Sequence, residues 1–228
     1  MITKIFFTVF ALSILVSCRT IKISEYFKVQ ENQVQKYNSS WVIGNEKITR
    51  KVPDPRPLDK NMPAQMPFNN RDTVKDVFNV IYKSVIVDNR KIVFVIEPKD
   101  TLQNNPSIGQ NHFLFSAMTF QGDTTYLAPI YKLNEIGKLK FSDFKNYIPP
   151  TISKKDSIII KDRTKTTILY DFNIKSLVID NLTYDKCLTF NLKVDWPEII
   201  YYGEIWISKK YGILKWVRTT GRTEIRKQ

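Results

Sequence analysis

The chain has 228 residues, 35 Lys plus Arg against 22 Asp plus Glu (formal net charge +13), one His, two Cys and seven Gly. That length suits one core domain with an appended segment, and such a domain buries roughly 70% of its unfolded surface without disulfide staples. A single His argues against His-based metal sites and His-dependent triads, and seven Gly leave little for phosphate-cradling loops.

Lys4 is the only charge in residues 1 to 18, and Ile5 to Val16 is apolar apart from Thr8 and Ser13. This is a positive start followed by a short apolar run, the pattern of an export signal. As a helix the run spans about 18 Å, short of a bilayer core of about 30 Å, so a permanent transmembrane anchor is disfavoured. The run ends in Leu15-Val16-Ser17-Cys18, which resembles the lipobox of bacterial lipoproteins. The resemblance implies a signal peptide over 1–17, a diacylglyceryl group on the Cys18 thiol and an acylated (palmitate-type) new amine. Several acyl chains together anchor stably, at about 0.8 kcal/mol per buried methylene. Arg19-Thr20-Ile21-Lys22 offers neither an Asp beside the Cys nor an acidic run. By resemblance, that implies the periplasmic face of the outer membrane.

The positive balance suits nucleic acid, an anionic membrane surface or an acidic polymer. Export removes nucleic acid, and the charge is dispersed. Its densest stretches, such as Lys154-Lys155 and Lys209-Lys210, are pairs in expected turns. They read as solvated surface, with anionic lipid headgroups or lipopolysaccharide phosphates as the functional alternative.

Residues 18–40 are polar with scattered apolar positions and read as a lipidated tether. Residues 41–72 read as a hairpin and a Pro-rich linker. The hairpin runs from Trp41 to Val52 and turns at Gly44-Asn45, and Pro53, Pro55, Pro57, Pro63 and Pro67 follow. A β-rich domain is expected over 73–228. Val74, Val77, Phe78, Ile81 and Val85, at spacings of three and four, predict a helix over about 73–83, with Thr73 and Asp76 as a capping box. Val85–Val87 and Ile92–Ile96 flank Asp88-Asn89-Arg90 and predict a hairpin. Phe113–Phe120 and Thr124–Tyr131 flank Gln121-Gly122-Asp123 and predict a second. Leu139 to Tyr147 predicts a short helix or one helical turn, with Ser142 as N-cap, ended by Pro149-Pro150.

The last third reads as strand. Ser157–Lys161 and Thr166–Asp171 flank a turn, and Ser176–Ile179 forms another short run. In Tyr184 to Trp196 the residues Tyr184, Leu188, Phe190, Leu192, Val194 and Trp196 share one face, with Lys186 as the exception. Ile200–Ser208, Tyr211–Thr219 and Thr223–Arg226 complete a four-strand meander. The expected fold is mainly β (α+β): a curved antiparallel sheet, half-barrel or sandwich, with one or two short helices. The stretch from Tyr202-Gly203-Glu204 to Leu214-Lys215-Trp216 is similar to a hairpin of lipoprotein-carrier-like half-barrels of the LolA/LolB type. That resemblance implies a sheet able to enclose an acyl chain.

Catalytic chemistry finds little material. Gly-x-Ser-x-Gly and closely spaced His/Cys ligands are missing, and His112 has no evident tie to Cys187, which reads as a packed, reduced sheet cysteine. Asp195, Glu198 and Glu204 are the carboxylates a glycosidase pair would draw on. No catalytic residue, metal or cofactor is expected. Trp196, Tyr201, Tyr202, Trp206, Tyr211 and Trp216 are the candidate ligand-facing aromatics. The function expected is a non-enzymatic binding or scaffold module, lipid-anchored through Cys18. Its partners would be the membrane and a lipid or an envelope protein. A half-barrel carrier or sensor of acyl chains is the second reading, and a carboxylate-dependent hydrolase of an envelope polymer the third.

Overall fold

The computed structural model describes residues 20–28, 31–42, 49–50, 73–97, 107–108, 117–128, 137–162, 165–197, 199–218 and 222–227. The strands among them are β1 (Thr20–Lys22), β2 (Val34–Val42), β3 (Thr49–Arg50), β4 (Thr73–Val87), β5 (Arg90–Glu97), β6 (Ser107–Ile108), β7 (Ala117–Gln121) and β8 (Thr124–Ala128). They continue as β9 (Asn146–Ile148), β10 (Thr151–Ser153), β11 (Ile158–Lys161), β12 (Thr166–Ile179), β13 (Leu182–Asp195), β14 (Ile199–Ser208), β15 (Gly212–Arg218) and β16 (Arg222–Lys227). The helical elements in the described residues include 3-10 turns at Ser24–Tyr26 and Phe141–Asp143.

Twelve strands form one antiparallel path in the order β11-β12-β13-β14-β15-β16-β2-β4-β5-β7-β8-β9; β3 adds to β14 and β6 to β5. The path curls until its ends meet. The Asn146 side-chain amide on β9 donates to the Lys161 carbonyl on β11 at 2.7 Å and accepts from the Lys161 N–H at 2.8 Å. One side chain thus replaces a rung of backbone ladder and covers two strand edges that would otherwise be open. The result is a nearly closed half-barrel, the curved antiparallel sheet the sequence predicts. Its inner face is a single apolar cluster that includes Tyr37, Val80, Tyr82, Val93, Val95, Met118, Leu127, Leu169, Phe172, Leu188, Phe190, Leu192, Ile205 and Trp216. Lys36, Asn38, Lys175 and Lys193 alternate with inward residues on their strands and point outward.

The predicted hairpins at Asp88-Asn89 and Gly122-Asp123 form, with Val87 opposite Arg90 and Gln121 opposite Thr124. Asp88 and Asn89 both take positive φ, as a two-residue turn between right-twisted strands requires. The meander β13–β16 also forms, and Leu139 to Tyr147 contains one 3-10 turn. Lys140, not Ser142, occupies the N-cap position there, and its N–H donates to the Asp143 carboxylate at 2.8 Å.

Four expectations are corrected. Residues 73–83 are strand, the first part of the fifteen-residue β4, because β2 and β5 pair with it from either side. Trp41 to Val52 is no hairpin: β2 lies between β16 and β4, while β3 pairs with β14. The expected turn at Gly44-Asn45 and the Pro-rich stretch lie outside the described residues. Ser176–Ile179 is no separate run but the end of β12. Within the expected tether 18–40, the described residues 20–28 and 31–40 are part of the fold, and the β-rich domain does not start at 73, because β1, a 3-10 turn and β2 belong to it.

Bulges explain the Lys186 exception. Lys175 pairs with Cys187 but Leu177 with Tyr184, so β13 carries an extra residue there, and Lys186 takes φ 54°. An extra residue reverses side-chain parity. Tyr184 therefore lies with Cys187 on the outward face, in a cluster with Leu177, Ile179, Leu214 and Trp206, and not with Leu188. A second register shift falls beside Asp171, at φ 57°, and returns Phe172 to the interior.

Candidate functional site

Strand direction puts the turns at 88–89, 121–123 and 209–211 at one end of the half-barrel, together with the start of β2. The N-terminal segment crosses this end. Thr20 to Lys22 pairs with Thr151 to Ser153. The Ile23 N–H then donates to the Pro150 carbonyl at 2.9 Å, and the 3-10 turn begins. Apolar positions at 21, 23, 26 and 27 match neither a helix nor a strand throughout, and the chain uses them through an irregular path. Ile21, Ile23, Tyr26 and Phe27 are buried in the barrel's own cluster. The Phe27 ring lies 6.5 Å from that of Phe190.

Polar contacts fasten the segment to turns around the rim. Tyr26 donates its hydroxyl to the Lys186 carbonyl at 2.8 Å, so the bulge presents the acceptor. Burial is the main cause that raises the Tyr26 phenol above its ordinary pKa. Glu25 accepts from Lys209 at 2.5 Å and lies 3.4 Å from Lys22, which also reaches Asp123 at 3.8 Å. The Lys209 hydrogen bond and charge hold the Glu25 carboxyl below its ordinary range. Glu31 pairs with Lys91 and accepts from the Ser84 hydroxyl at 2.6 Å; both hydrogen bonds lower its pKa. Ile21, Ile23, Tyr26 and Phe27 were not singled out by the sequence. The signal that could have found them is the alternation of Ile21 and Ile23 followed by two adjacent aromatics in a polar stretch.

The six candidate aromatics do not converge. Trp216 is in the core, and Tyr201 packs against it from the inside. Trp206 belongs to the outward cluster, and its indole N–H is buried with no partner among the described residues. Tyr202 is exposed and faces outward. Trp196 is exposed at the opposite end of the barrel, with the Lys165 ammonium 5.4 Å from its ring. Tyr211 sits in the β14–β15 turn, edge-on to Tyr184 at 5.6 Å. They are strand partners on two faces and at two ends, not the wall of one concavity.

Cys187 is fully buried; its thiol donates to the Tyr184 carbonyl at 3.3 Å, and burial pushes its pKa up. That environment suppresses the thiolate a nucleophile needs. Cys18 and His112 lie outside the described residues. Asp195 and Glu204 stand on neighbouring strands, but Glu204 faces Asn191, four positions from Asp195. That is about 13 Å along a strand, beyond the span of a glycosidase pair. Glu204 accepts from the Thr189 hydroxyl and Asp195 lies 4.0 Å from Lys193; Glu198 lies outside the described residues. No three His, Cys, Asp or Glu gather as a metal-binding set among the described residues.

A second outward cluster (Ile92, Phe94, Ala117, Ala128) is covered by Leu139 and Phe144 of the strap that carries the second 3-10 turn. Beside it is a pocket of about 40 Å³, with the Arg90 guanidinium 4.0 Å above the Phe141 ring. Ligand pockets are on the order of 300 Å³ or more, so this one has room for a few water molecules only.

No protein family, curated protein or solved structure matches the chain. The class rests on the architecture itself: an antiparallel half-barrel with an apolar interior and one end covered by its N-terminal segment.

Proposed function

We propose that this is a lipid-anchored envelope protein, a non-enzymatic binding or scaffold module held through Cys18 at the periplasmic face of the outer membrane. The observation that carries the reading is positional. Thr20, the first described residue, is already in the fold, two residues from the lipobox cysteine, at the end its own segment covers. The outward positions support it too. A barrel embedded in lipid presents a continuous apolar band outward, whereas this one presents Lys36, Asn38, Lys175 and Lys193 there, and its largest apolar cluster is the interior. Such strands stand in water, and the membrane is met through an attached lipid. No helix among the described residues is long and apolar enough to cross a membrane.

The test is the mass and membrane fractionation of the full-length protein from a Gram-negative host, beside Cys18→Ala. An acylated wild type that pellets with the outer membrane, and a variant that does neither, supports the reading. A soluble, unmodified wild type overturns it. The carrier reading draws on one observation, the apolar interior beneath a separate cover. An acyl chain entering there must displace Ile23, Tyr26 and Phe27, and native mass spectrometry would find it as bound lipid.

A further inference from the structure

We propose that the covered end of the half-barrel is a membrane-contact face, seated on anionic phospholipid headgroups around the anchor point, with Lys154 and Lys155 as its principal contacts. This rests on the lipid-anchor reading above and specifies how the folded body is held.

Two peptide units separate Cys18 from Thr20, so their Cα atoms lie within about 7 Å of each other. Thr20 is fixed by its pairing with Ser153. The headgroup layer on one side of a bilayer is roughly 5–8 Å thick, the difference between its total and hydrocarbon thickness. A cysteine whose acyl chains are in the hydrocarbon therefore brings Thr20 to the headgroups. A free tether of twenty residues would leave the body's orientation open; one residue, Arg19, does not.

Next comes the chemistry at that point. The residue paired with Thr20 opens directly into a tight turn, Ser153-Lys154-Lys155-Asp156, in which the Asp156 N–H donates to the Ser153 carbonyl at 3.1 Å. The Asp156 carboxylate is spent on the Ser153 N–H, also at 3.1 Å. Lys154 and Lys155 are exposed, and neither makes an ion pair with a carboxylate among the described residues. On the same end are Lys22, Lys209 and Lys210, with Glu25, Glu31, Asp88, Asp123 and Asp180 as acidic residues; Glu25 is already bound to Lys209 and Lys22, and Glu31 to Lys91. Phe120 and Tyr211 are partly exposed beside the rim turns, and aromatic rings of that kind suit the headgroup level. Each lysine near an anionic surface strengthens attachment by about fivefold.

The test uses full-length acylated protein reconstituted in vesicles of phosphatidylethanolamine and phosphatidylglycerol. Lys155→Cys and, at the opposite end, Pro197→Cys are each labelled with bimane and exposed to a headgroup nitroxide lipid. Cys18 is blocked by its lipid and Cys187 by burial. The expected result is several-fold stronger quenching at position 155 than at 197, and a drop at 155 when phosphatidylcholine replaces phosphatidylglycerol. Equal quenching at the two positions overturns the face, and quenching indifferent to lipid charge overturns the role of the lysines. The mass of the same preparation separates the failures. An unmodified Cys18 refutes the anchor and the proposal with it, whereas acylated protein with equal quenching leaves the anchor standing and the face refuted.

Discussion

Single residues carry much of this fold. Lys186 and Asp171 hold φ values that L-residues adopt rarely, and each sits where a register shift lets a long strand change which face it presents. Gly203 works in the opposite sense: a Cβ there would stand 2.7 Å from the Val217 carbonyl oxygen and 3.4 Å from Leu192 Cγ. The nearer obstacle is backbone, which cannot rotate away. Gly203→Ala is therefore expected to destabilise by about 1–3 kcal/mol, measured as the urea midpoint, despite the usual gain from removing a strand glycine. Cys187 gives a chemical prediction. The native Cys18→Ala protein, in which Cys187 is the one thiol, should react with a thiol reagent such as DTNB only at the rate of unfolding, and rapidly in denaturant. Prompt reaction under native conditions would contradict the buried, raised-pKa thiol. The sequence made Cys187 legible as a packed sheet residue. It could not show the bulge one position before it, because Lys186 has no side-chain signature for a left-handed backbone.

At the scale of elements, the N-terminal cover is the least secure. Burying Ile21, Ile23, Tyr26 and Phe27 favours the docked segment, and the entropy of ordering it opposes. Rim contacts then decide how tightly it is held. Glu25 and Glu31 have carboxyls lowered by their lysine and serine partners. A lowered folded-state value means that their stabilisation is present above the ordinary carboxylate value of 4.5 and is lost as pH falls through the lowered one. Glu25→Gln should therefore lower Tm slightly at neutral pH, with the difference from wild type shrinking to nothing in acid. A difference that persisted or grew in acid would contradict the pairing. The effect is small because these groups are solvent-screened. The hairpins and the C-terminal meander were legible because turn residues and alternation are local signals. The β4 strand was not: Val74, Val77, Phe78 and Ile81 satisfy a helical period, while Val80 and Tyr82, buried in the barrel, satisfy a strand. Only pairing with two distant neighbours resolves the conflict.

At the scale of the molecule, the decisive event is non-local. The last strand, β16, inserts beside β2, nearly the full chain length away, and the ends of the sheet meet through Asn146. Neither juxtaposition leaves a trace in sequence spacing, which is why residues 18–40 read as a tether and the aromatics of the last third as one surface. The closure also explains why those aromatics divide. A curled sheet has an inside and an outside, and alternation sends Trp216 to one and Trp206 to the other.

The segment from Thr20 to Lys28 is a fastened cover and not a free leash. Amide hydrogen exchange of Ile23, Tyr26 and Phe27 in the full-length protein tests it most directly. Their N–H groups donate to the carbonyls of Pro150, Ile23 and Ser24 at 2.9, 3.0 and 3.3 Å. Exchange slowed by about a hundredfold or more relative to an unstructured peptide, though less than in β13, is the expected result. Exchange at unstructured rates, with the barrel strands still protected, would contradict it.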